Sequence, residues 1–426
     1  MKANNVTHKK NKLDNLILHI HPRVVPEKAI KFTLTWGLGG MAVLLIVFLL
    51  VTGILLRFVY VPTPQGAYDS VLNILNNYTF GLLVRNVHYW SATLLVIVSF
   101  LHLLRVFYTG AYSAKRGANW VIGLCLFILV VLMNFTGYLL PWDQLAYWAI
   151  TVTTNMLEYI PVLGKFFKHS IIQGDEVGAQ TLLVFYNLHT GLFPLGMIIL
   201  MMFHFWKVRK AGGVVIPPEP DGATPKKVKV WPNLLVREFA VALVLSAFIL
   251  LFSLFFDAPL QERANPLVSP NPAKAPWYFM GFQELLLHFQ PVVAVLIVPS
   301  FIIGLLFYLP YLKNNAPSKG IWFLSQKGKK TALQASIIGV VITITLVISN
   351  EYIVKPSALS SFAKSGIIQL LVIAFIAWLM LRVQKSKYKA NKAEALQALL
   401  SFIFSAFIVL TIIGHFFRGE GMSLSF

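Results

Sequence analysis

Residues 78–108 read YTFGLLVRNVHYWSATLLVIVSFLHLLRVFY, an apolar run of membrane-crossing length that carries His88 and His102 in its interior. Ionisable side chains inside a bilayer are costly and are normally retained for a site. A second stretch, NLHTGLFPLGMIILMMFHFWKVRK from Asn187 onward, repeats the oddity with His189 and His204. The two spacings, fourteen and fifteen residues, turn an α-helix by about 1400° and 1500°, leaving offsets of about 40° and 60°, so both histidines of a helix share one face. At about 1.5 Å per residue they stand roughly 21 to 22 Å apart along the axis. That puts one histidine of each helix near each membrane surface.

The rest of the chain agrees with a membrane setting. Of its 426 residues, 57% are hydrophobic and 12% charged, and the mean hydropathy is +0.71, outside the range of a soluble domain. Apolar stretches long enough to span lie at 33–59, 80–107, 119–140, 180–206, 237–256, 291–312, 333–349, 366–382 and 395–416. The expectation is an all-α, multi-span bundle of nine transmembrane helices. The net charge of +20 suggests nucleic acid only until its distribution is read. Three quarters of the 36 Lys and Arg fall in the segments before span one and after spans two, four, six and eight, including Lys2, Lys9, Lys10, Lys12, Lys313 and Lys319. With alternating spans these segments share one side, so the positive-inside rule places the N-terminus in the cytoplasm and no nucleic-acid partner is expected. The basic, polar N-terminus lacks a short apolar core with a cleavage site, so no removable signal peptide is expected. Cys125, the single cysteine, lies inside a span, leaving neither a disulfide framework nor a thiolate metal site. Metal chemistry here rests on histidine.

One buried histidine is more often a satisfied interhelical hydrogen bond than a ligand. Four, two per helix at nearly equal long spacing, fit metal ligation better, and neutral imidazole is a good iron ligand. Both helices run in the same direction if spans alternate, so His88 pairs with His189 at the outer level and His102 with His204 at the inner level. Two such levels would hold two six-coordinate haems. A flat macrocycle between helices also needs neighbours without side chains. Gly39 and Gly53 in span one, and Gly123 and Gly137 in span three, are each fourteen apart. Glycine serves close helix packing as well, but here its period matches that of the histidines.

With GYLLPWDQLAYW (137–148) and PWYF (276–279), these features make a specific signature, and the chain resembles cytochrome b of the quinol-oxidising bc and bf complexes over most of its length. Residues 1–208 form the expected dihaem four-helix bundle, similar to chloroplast-type cytochrome b, and 209–234, rich in Pro, Gly and Lys, a cytoplasmic linker. Residues 235–312 resemble the start of subunit IV, bearing the quinol site, and 313–426 supply additional transmembrane helices. The resemblance implies two non-covalent b haems on the four histidines. It implies a Q cycle in which quinol is oxidised at the outer face and quinone reduced at the inner one, contributing to proton translocation. It implies as partners a Rieske iron–sulfur protein, a c-type cytochrome or plastocyanin-like acceptor, quinone or menaquinone, lipid and a second copy of the complex, in a bacterial inner membrane.

The outer pocket is expected from 141–155 and 276–284, with Trp277 and Tyr278 in it. Where the family carries a loop glutamate as proton acceptor, this chain has Pro276; Glu284, seven residues past Trp277 and so on nearly the same helical face, is the substitute candidate. Gly37 stands where the chloroplast protein has a haem-tethering cysteine, so no covalent third haem is expected. Val184 replaces an arginine that often meets an outer propionate, and Ala149 a glycine of the mitochondrial pocket. Arg85 and Arg105 are candidates to pair with propionates, against the plainer reading of interface snorkelling. Arg237, Glu238 and Arg209 are candidates for the inner quinone site, Glu238 as a proton relay. His415 has no partner at haem spacing. Two rival readings are a dihaem anchor of a dehydrogenase or hydrogenase, which leaves the PWDQLAYW and PWYF loops without a task, and a proton-coupled transporter using the histidines as relays.

Overall fold

The computed structural model describes residues 22–312, 320–357 and 365–425. Lys2, Lys9, Lys10, Lys12, Lys313 and Lys319, part of the basic-side pattern, lie outside these. Among the described residues nine helices are long and apolar enough to cross a membrane. They are Leu38–Arg57, Gly81–Tyr108, Gly117–Leu139, Ala179–Lys210, Val230–Phe255, Val293–Tyr311, Gln326–Val354, Ile367–Ser386 and Lys392–Phe416, called spans one to nine. Inside lipid every backbone polar group needs an internal partner, which a helix alone supplies within one segment. The nine apolar stretches therefore fold as expected, and the ends differ by a few residues. Span five starts earlier than its apolar run, at Val230, because the polar turns after a break at Trp231 extend it beyond the hydrophobic length.

Local signals set the ends. Span three stops at Leu139, just before Pro141, where a missing N–H and ring crowding end a helix. Asn391 caps span nine by accepting from the Glu394 amide, and Glu394 returns the bond to the Asn391 amide, a reciprocal capping box. On the outer side, Asp143 caps the surface helix Gln144–Asn155 by accepting from the Ala146 amide at 2.8 Å. Spans four, six and seven each contain a π-turn, at Leu188–Leu192, Val293–Ile297 and Asn350–Val354. Each is followed two residues later by a proline: Pro194, Pro299 and Pro356. A proline ring collides with the carbonyl four residues back. That carbonyl lies inside the π-turn in all three cases, and the wider turn swings it clear.

Strands Val24–Pro26 and Lys227–Lys229 pair antiparallel, tying the segment before span one to the linker after span four. This face is called inner below. Spans one, two, three, four and five share a core around Leu45, Leu95, Val130, Met197 and Ile249. The linker therefore does not separate two independent bundles. Span nine docks on the inner end of span two, where fully buried Gln397 donates to the Phe107 carbonyl at 2.9 Å and Ser401 meets the Tyr108 hydroxyl at 2.8 Å. Spans seven and nine pack closely, with Gly339 against the Phe402 backbone. The short helix Met280–His288 lies on span nine through Gly281, which faces the Phe407 ring and Thr411, and Gly414, which faces Met280.

Candidate functional site

Spans two and four bring the four histidines together as two pairs. The His88 and His189 ring centroids are 6.2 Å apart at 69° between planes, and those of His102 and His204 are 6.4 Å apart at 72°. Two metal–imidazole bonds of about 2 Å each, added to the two ring radii, give about 6.3 Å. The pairs thus stand at the separation of two axial ligands on one metal.

The outer pair also reveals its tautomers. Thr52 gives its hydroxyl proton to the Phe48 carbonyl at 2.6 Å, so its oxygen accepts from His88 Nδ1 at 2.9 Å. His189 Nδ1 donates to the Met133 carbonyl at 2.9 Å, with Thr136 Oγ1 at 3.4 Å. In a neutral imidazole one protonated nitrogen leaves the other bare. Both Nε2 lone pairs are therefore bare, as metal ligation requires, and Nδ1 is held by the supporting contacts that orient ligating histidines.

The glycines complete each level. A Cβ on Gly53 would meet His88 Cε1 at 3.2 Å and one on Gly137 would meet His189 Cε1 at 2.5 Å; on Gly39 and Gly123 it would meet His102 and His204 Cε1, each at 3.5 Å. Four glycines on the flanking spans thus face four imidazoles, one each. The spacing in span four exceeds that in span two by one residue, and the π-turn Leu188–Leu192, which contains His189, absorbs it. Single π-turns recur at functional sites.

Arg105 has an unfilled donor that suits an anionic substituent. Its Nε donates to the Leu34 carbonyl at 3.0 Å, whereas its Nη2 is buried without a hydrogen-bond partner among the described residues. Arg85 is employed elsewhere, contrary to the simplest propionate reading. Its terminal nitrogens donate to the Ala258 and Pro259 carbonyls at 2.8 and 2.7 Å, pinning the outer loop that follows span five. Asn86 joins it, bonding Asp257 Oδ1 at 2.9 Å and the Ala258 amide at 2.8 Å.

The two long outer loops meet as expected. Asp143 bridges to Arg263 in backbone pairing, the Ala264 amide donates to the Trp142 carbonyl, and Asp143 Oδ2 accepts from the Gln261 amide at 2.9 Å. Burial raises the Asp143 carboxyl above its ordinary value, against the backbone N–H groups of Gln261 and Ala146. Phe279 packs edge-on to Phe135, and Trp277 and Tyr278 lie against the core of the first five spans. The Tyr278 hydroxyl is buried without a partner among the described residues, and burial holds it protonated well above the usual phenol range. Ala149 is buried and Val184 packs beside the Phe135–Phe185 cluster. Gly37, with φ of 65°, forms the left-handed turn that starts span one.

Glu284 is not on the face of Trp277. Trp277–Phe279 form a 3₁₀ turn and the α-helix begins at Met280, so the seven-residue phase is lost. Trp277 faces the first bundle, whereas Glu284, 0% exposed, faces the C-terminal tail. There Arg418 Nε donates to its Oε2 at 3.0 Å and His288 Nε2 lies 2.9 Å from its Oε1. Burial raises the carboxyl, but the bonds from His288 and Arg418 outweigh it and hold Glu284 below its ordinary value. An acid so held is a counter-ion and a poor proton acceptor. Spacing alone does not pair Arg418 with Glu284, since 134 residues separate the two. On the inner face, Arg237 donates to the Ile30 carbonyl at 2.7 Å; Arg237, Glu238 and Arg209 are all exposed there. His415 contacts Phe416 at the outer end of span nine, away from both pairs.

Fold and site together define a membrane-spanning helical bundle with two pairs of facing histidines between its helices. The family model described as Cytochrome b/b6/petB matches residues 25–212. Cytochrome b6 of Heliomicrobium gestii is 42% identical over 175 residues, covering 41% of this chain and 82% of that protein. Cytochrome b6 of Prochlorococcus marinus strain AS9601 is 38% identical over 175 residues, covering 80% of its length. A solved chain titled "Hyperthermophilic respiratory Complex III" matches with a TM-score of 0.69 at 22% identity, covering 95% of this chain and 98% of that one, a likeness of fold. The chain belongs to the cytochrome b/b6 family and is a b-type haem protein of the membrane.

Proposed function

We propose that this chain is the cytochrome b of a bacterial quinol:cytochrome c, or plastocyanin-like acceptor, oxidoreductase, with two b haems and a Q cycle. The facing rings of His88 and His189, with Nδ1 of each held and Nε2 left bare, and the matching ring separation of the His102–His204 pair carry this reading. Bound there, two stacked haems supply one-electron redox chemistry on both sides of the bilayer. His88 and His189 ligate the outer one and His102 and His204 the inner one. Gly53 and Gly137, and Gly39 and Gly123, leave room for the macrocycle edges. Arg105 Nη2 neutralises an inner propionate.

Quinol is taken in the outer region of Trp277, Tyr278 and the 141–155 segment, with the Tyr278 hydroxyl, which has no partner among the described residues, offering the hydrogen bond. Arg237, Glu238 and Arg209 serve quinone at the inner face, close to its proton supply. A Rieske protein and a c-type cytochrome receive the outer electron, the chain lies in the cell membrane with its N-terminus cytoplasmic, and the complex is a dimer. The measurement is a pyridine haemochrome count on the purified complex with quinol-oxidation assays. Two haems per chain are expected, with His189→Asn and His204→Asn each losing one. A count of one, or two haems without quinol oxidation, refutes the reading.

A further inference from the structure

A groove of about 430 Å³ runs between spans seven and eight toward their inner ends. Its walls are apolar, with Ile337 and Ile338 from span seven and Ile376, Leu379 and Val383 from span eight. Ile337, Leu379 and Val383 are exposed, so the groove opens to whatever surrounds the spans. Its inner end is polar. Gln334 Nε2 donates to the Tyr388 hydroxyl at 3.0 Å, and both residues line the groove. Lys330 Nζ stands 5.4 Å from the centre of the Tyr388 ring and Lys387 Nζ 5.9 Å from it.

We propose that this groove binds an anionic phospholipid of the inner leaflet, one acyl chain lying between the two spans and the phosphate held by Lys330 and Lys387. The inference is independent of the reaction proposed above. Charge is the first observation behind it. Segments 320–349 and 365–393, which contain most of both spans and their inner ends, hold eight Lys and Arg and no Asp or Glu. The next acid along the chain, Glu394, is buried and already engaged, accepting from the Asn391 amide at 2.9 Å and from the Ser325 hydroxyl. Lys330 and Lys387 enter no ion pair among the described residues. Two ammonium groups gathered at one ring repel each other, and the ring face attracts each without neutralising it. An anion between them removes that repulsion. Basic clusters at the ends of membrane helices recognise anionic headgroups in this way.

Pattern and shape supply the rest. Lys330, Gln334, Ile337 and Ile338 fall on one face of span seven, and Ile376, Leu379, Val383 and Lys387 on one face of span eight. Each face is apolar in the membrane and ends in a lysine at the inner surface. On span eight the lining runs from Ile376 to Gln384, about 12 Å along the axis. The 430 Å³ spread over that length leaves a cross-section of about 36 Å², against about 80–110 Å² for a helix 10–12 Å across. The groove therefore admits an extended hydrocarbon chain but not a helix. The Gln334–Tyr388 bond fixes the ring at the mouth, so the apolar walls and the two cations face one amphipathic molecule. A soluble anion leaves the walls unfilled, and a neutral lipid or quinone leaves the cations unused.

The test uses the complex purified in detergent and freed of native lipid. It is titrated with dioleoylphosphatidylglycerol or dioleoylphosphatidylcholine, and lipid held per chain is counted by native mass spectrometry with haem content in parallel. The wild type is expected to hold phosphatidylglycerol in preference to phosphatidylcholine. Lys330→Gln combined with Lys387→Gln should weaken one phosphatidylglycerol per chain by about 30-fold, the effect of removing two surface cations. Leu379→Trp, which fills the groove and keeps both lysines, should displace that same lipid, and haem content should be unchanged throughout. Equal retention of the two lipids by the wild type overturns the proposal, even if neither variant assembles. Unchanged phosphatidylglycerol binding in either variant overturns it as well, since the lysines alone make a surface contact and the groove alone a seat for a neutral occupant. A polypeptide that copurifies with the wild type and is lost from Leu379→Trp, in place of the lipid, also overturns it.

Discussion

Replacing Gly137 by alanine adds one methyl group at the tightest of the four glycine–imidazole contacts. The new Cβ would lie 2.5 Å from His189 Cε1, where ordinary contact is 3.4–4 Å. The ring must therefore retreat by about 1 Å, half the length of a metal–imidazole bond of about 2 Å. It cannot do so freely, because its Nδ1 is bound to the Met133 carbonyl at 2.9 Å. Overpacking of this kind costs about 1–3 kcal/mol, and at about 1.4 kcal/mol per tenfold the outer haem should be held roughly 5- to 150-fold more weakly. Loss of helix stability is not the cause, since alanine improves a helix interior by up to about 1 kcal/mol over glycine. Gly53→Ala, with contact at 3.2 Å, should do less, and Gly39→Ala and Gly123→Ala, at 3.5 Å, least. Haem stoichiometry and reduced-minus-oxidised spectra of the four variants give the ranking. A Gly137→Ala protein with both haems at full occupancy, beside a Gly39→Ala or Gly123→Ala protein that has lost one, would refute the reasoning.

Arg418→Gln strands Glu284 as a buried carboxylate and should cost about 3–5 kcal/mol at neutral pH, read as a lower unfolding temperature in detergent. In the wild type Glu284 sits below its ordinary 4.5, so its contribution is present at neutral pH and is lost as pH falls through the depressed value. The variant should show the opposite slope, recovering stability on acidification as the stranded carboxylate takes a proton; identical slopes would contradict the assignment. Arg105→Gln removes the positive charge beside the inner pair and should lower the midpoint potential of the inner haem by tens of millivolts while the outer one stays put, as followed by redox titration. Asp143→Ala removes a helix cap worth about 1 kcal/mol and its bond to the Gln261 amide, so hydrogen exchange at 257–264 should rise while that of spans two and four is unchanged.

Much of this was readable from spacing alone. The histidine levels and their glycine partners follow from helical period, because a straight membrane helix converts sequence separation directly into depth and azimuth. What failed to read were features that depend on a break in that period or on distant partners. The 3₁₀ turn at Trp277–Phe279 moved Glu284 to another face. Arg418 and Asn350 reach the loop helix only because spans seven to nine fold back on it. Arg85 looked like a propionate partner until the loop after span five supplied its carbonyl partners at Ala258 and Pro259. Thr52 and Met133 orient the ligands through contacts between spans that no single helix displays.

The π-turn at Leu188–Leu192 bears on how such chains can change length. One residue inserted into an α-helix should rotate everything beyond it by about 100°, carrying His204 off its partner. A turn that swallows the extra residue beside Pro194 confines the insertion to one carbonyl's neighbourhood and leaves the downstream half in phase. The interval between two ligands is then free to drift by one without a change in where they point. Unequal counts on facing helices are then compatible with matched ligand levels, because the π-turn takes up the difference.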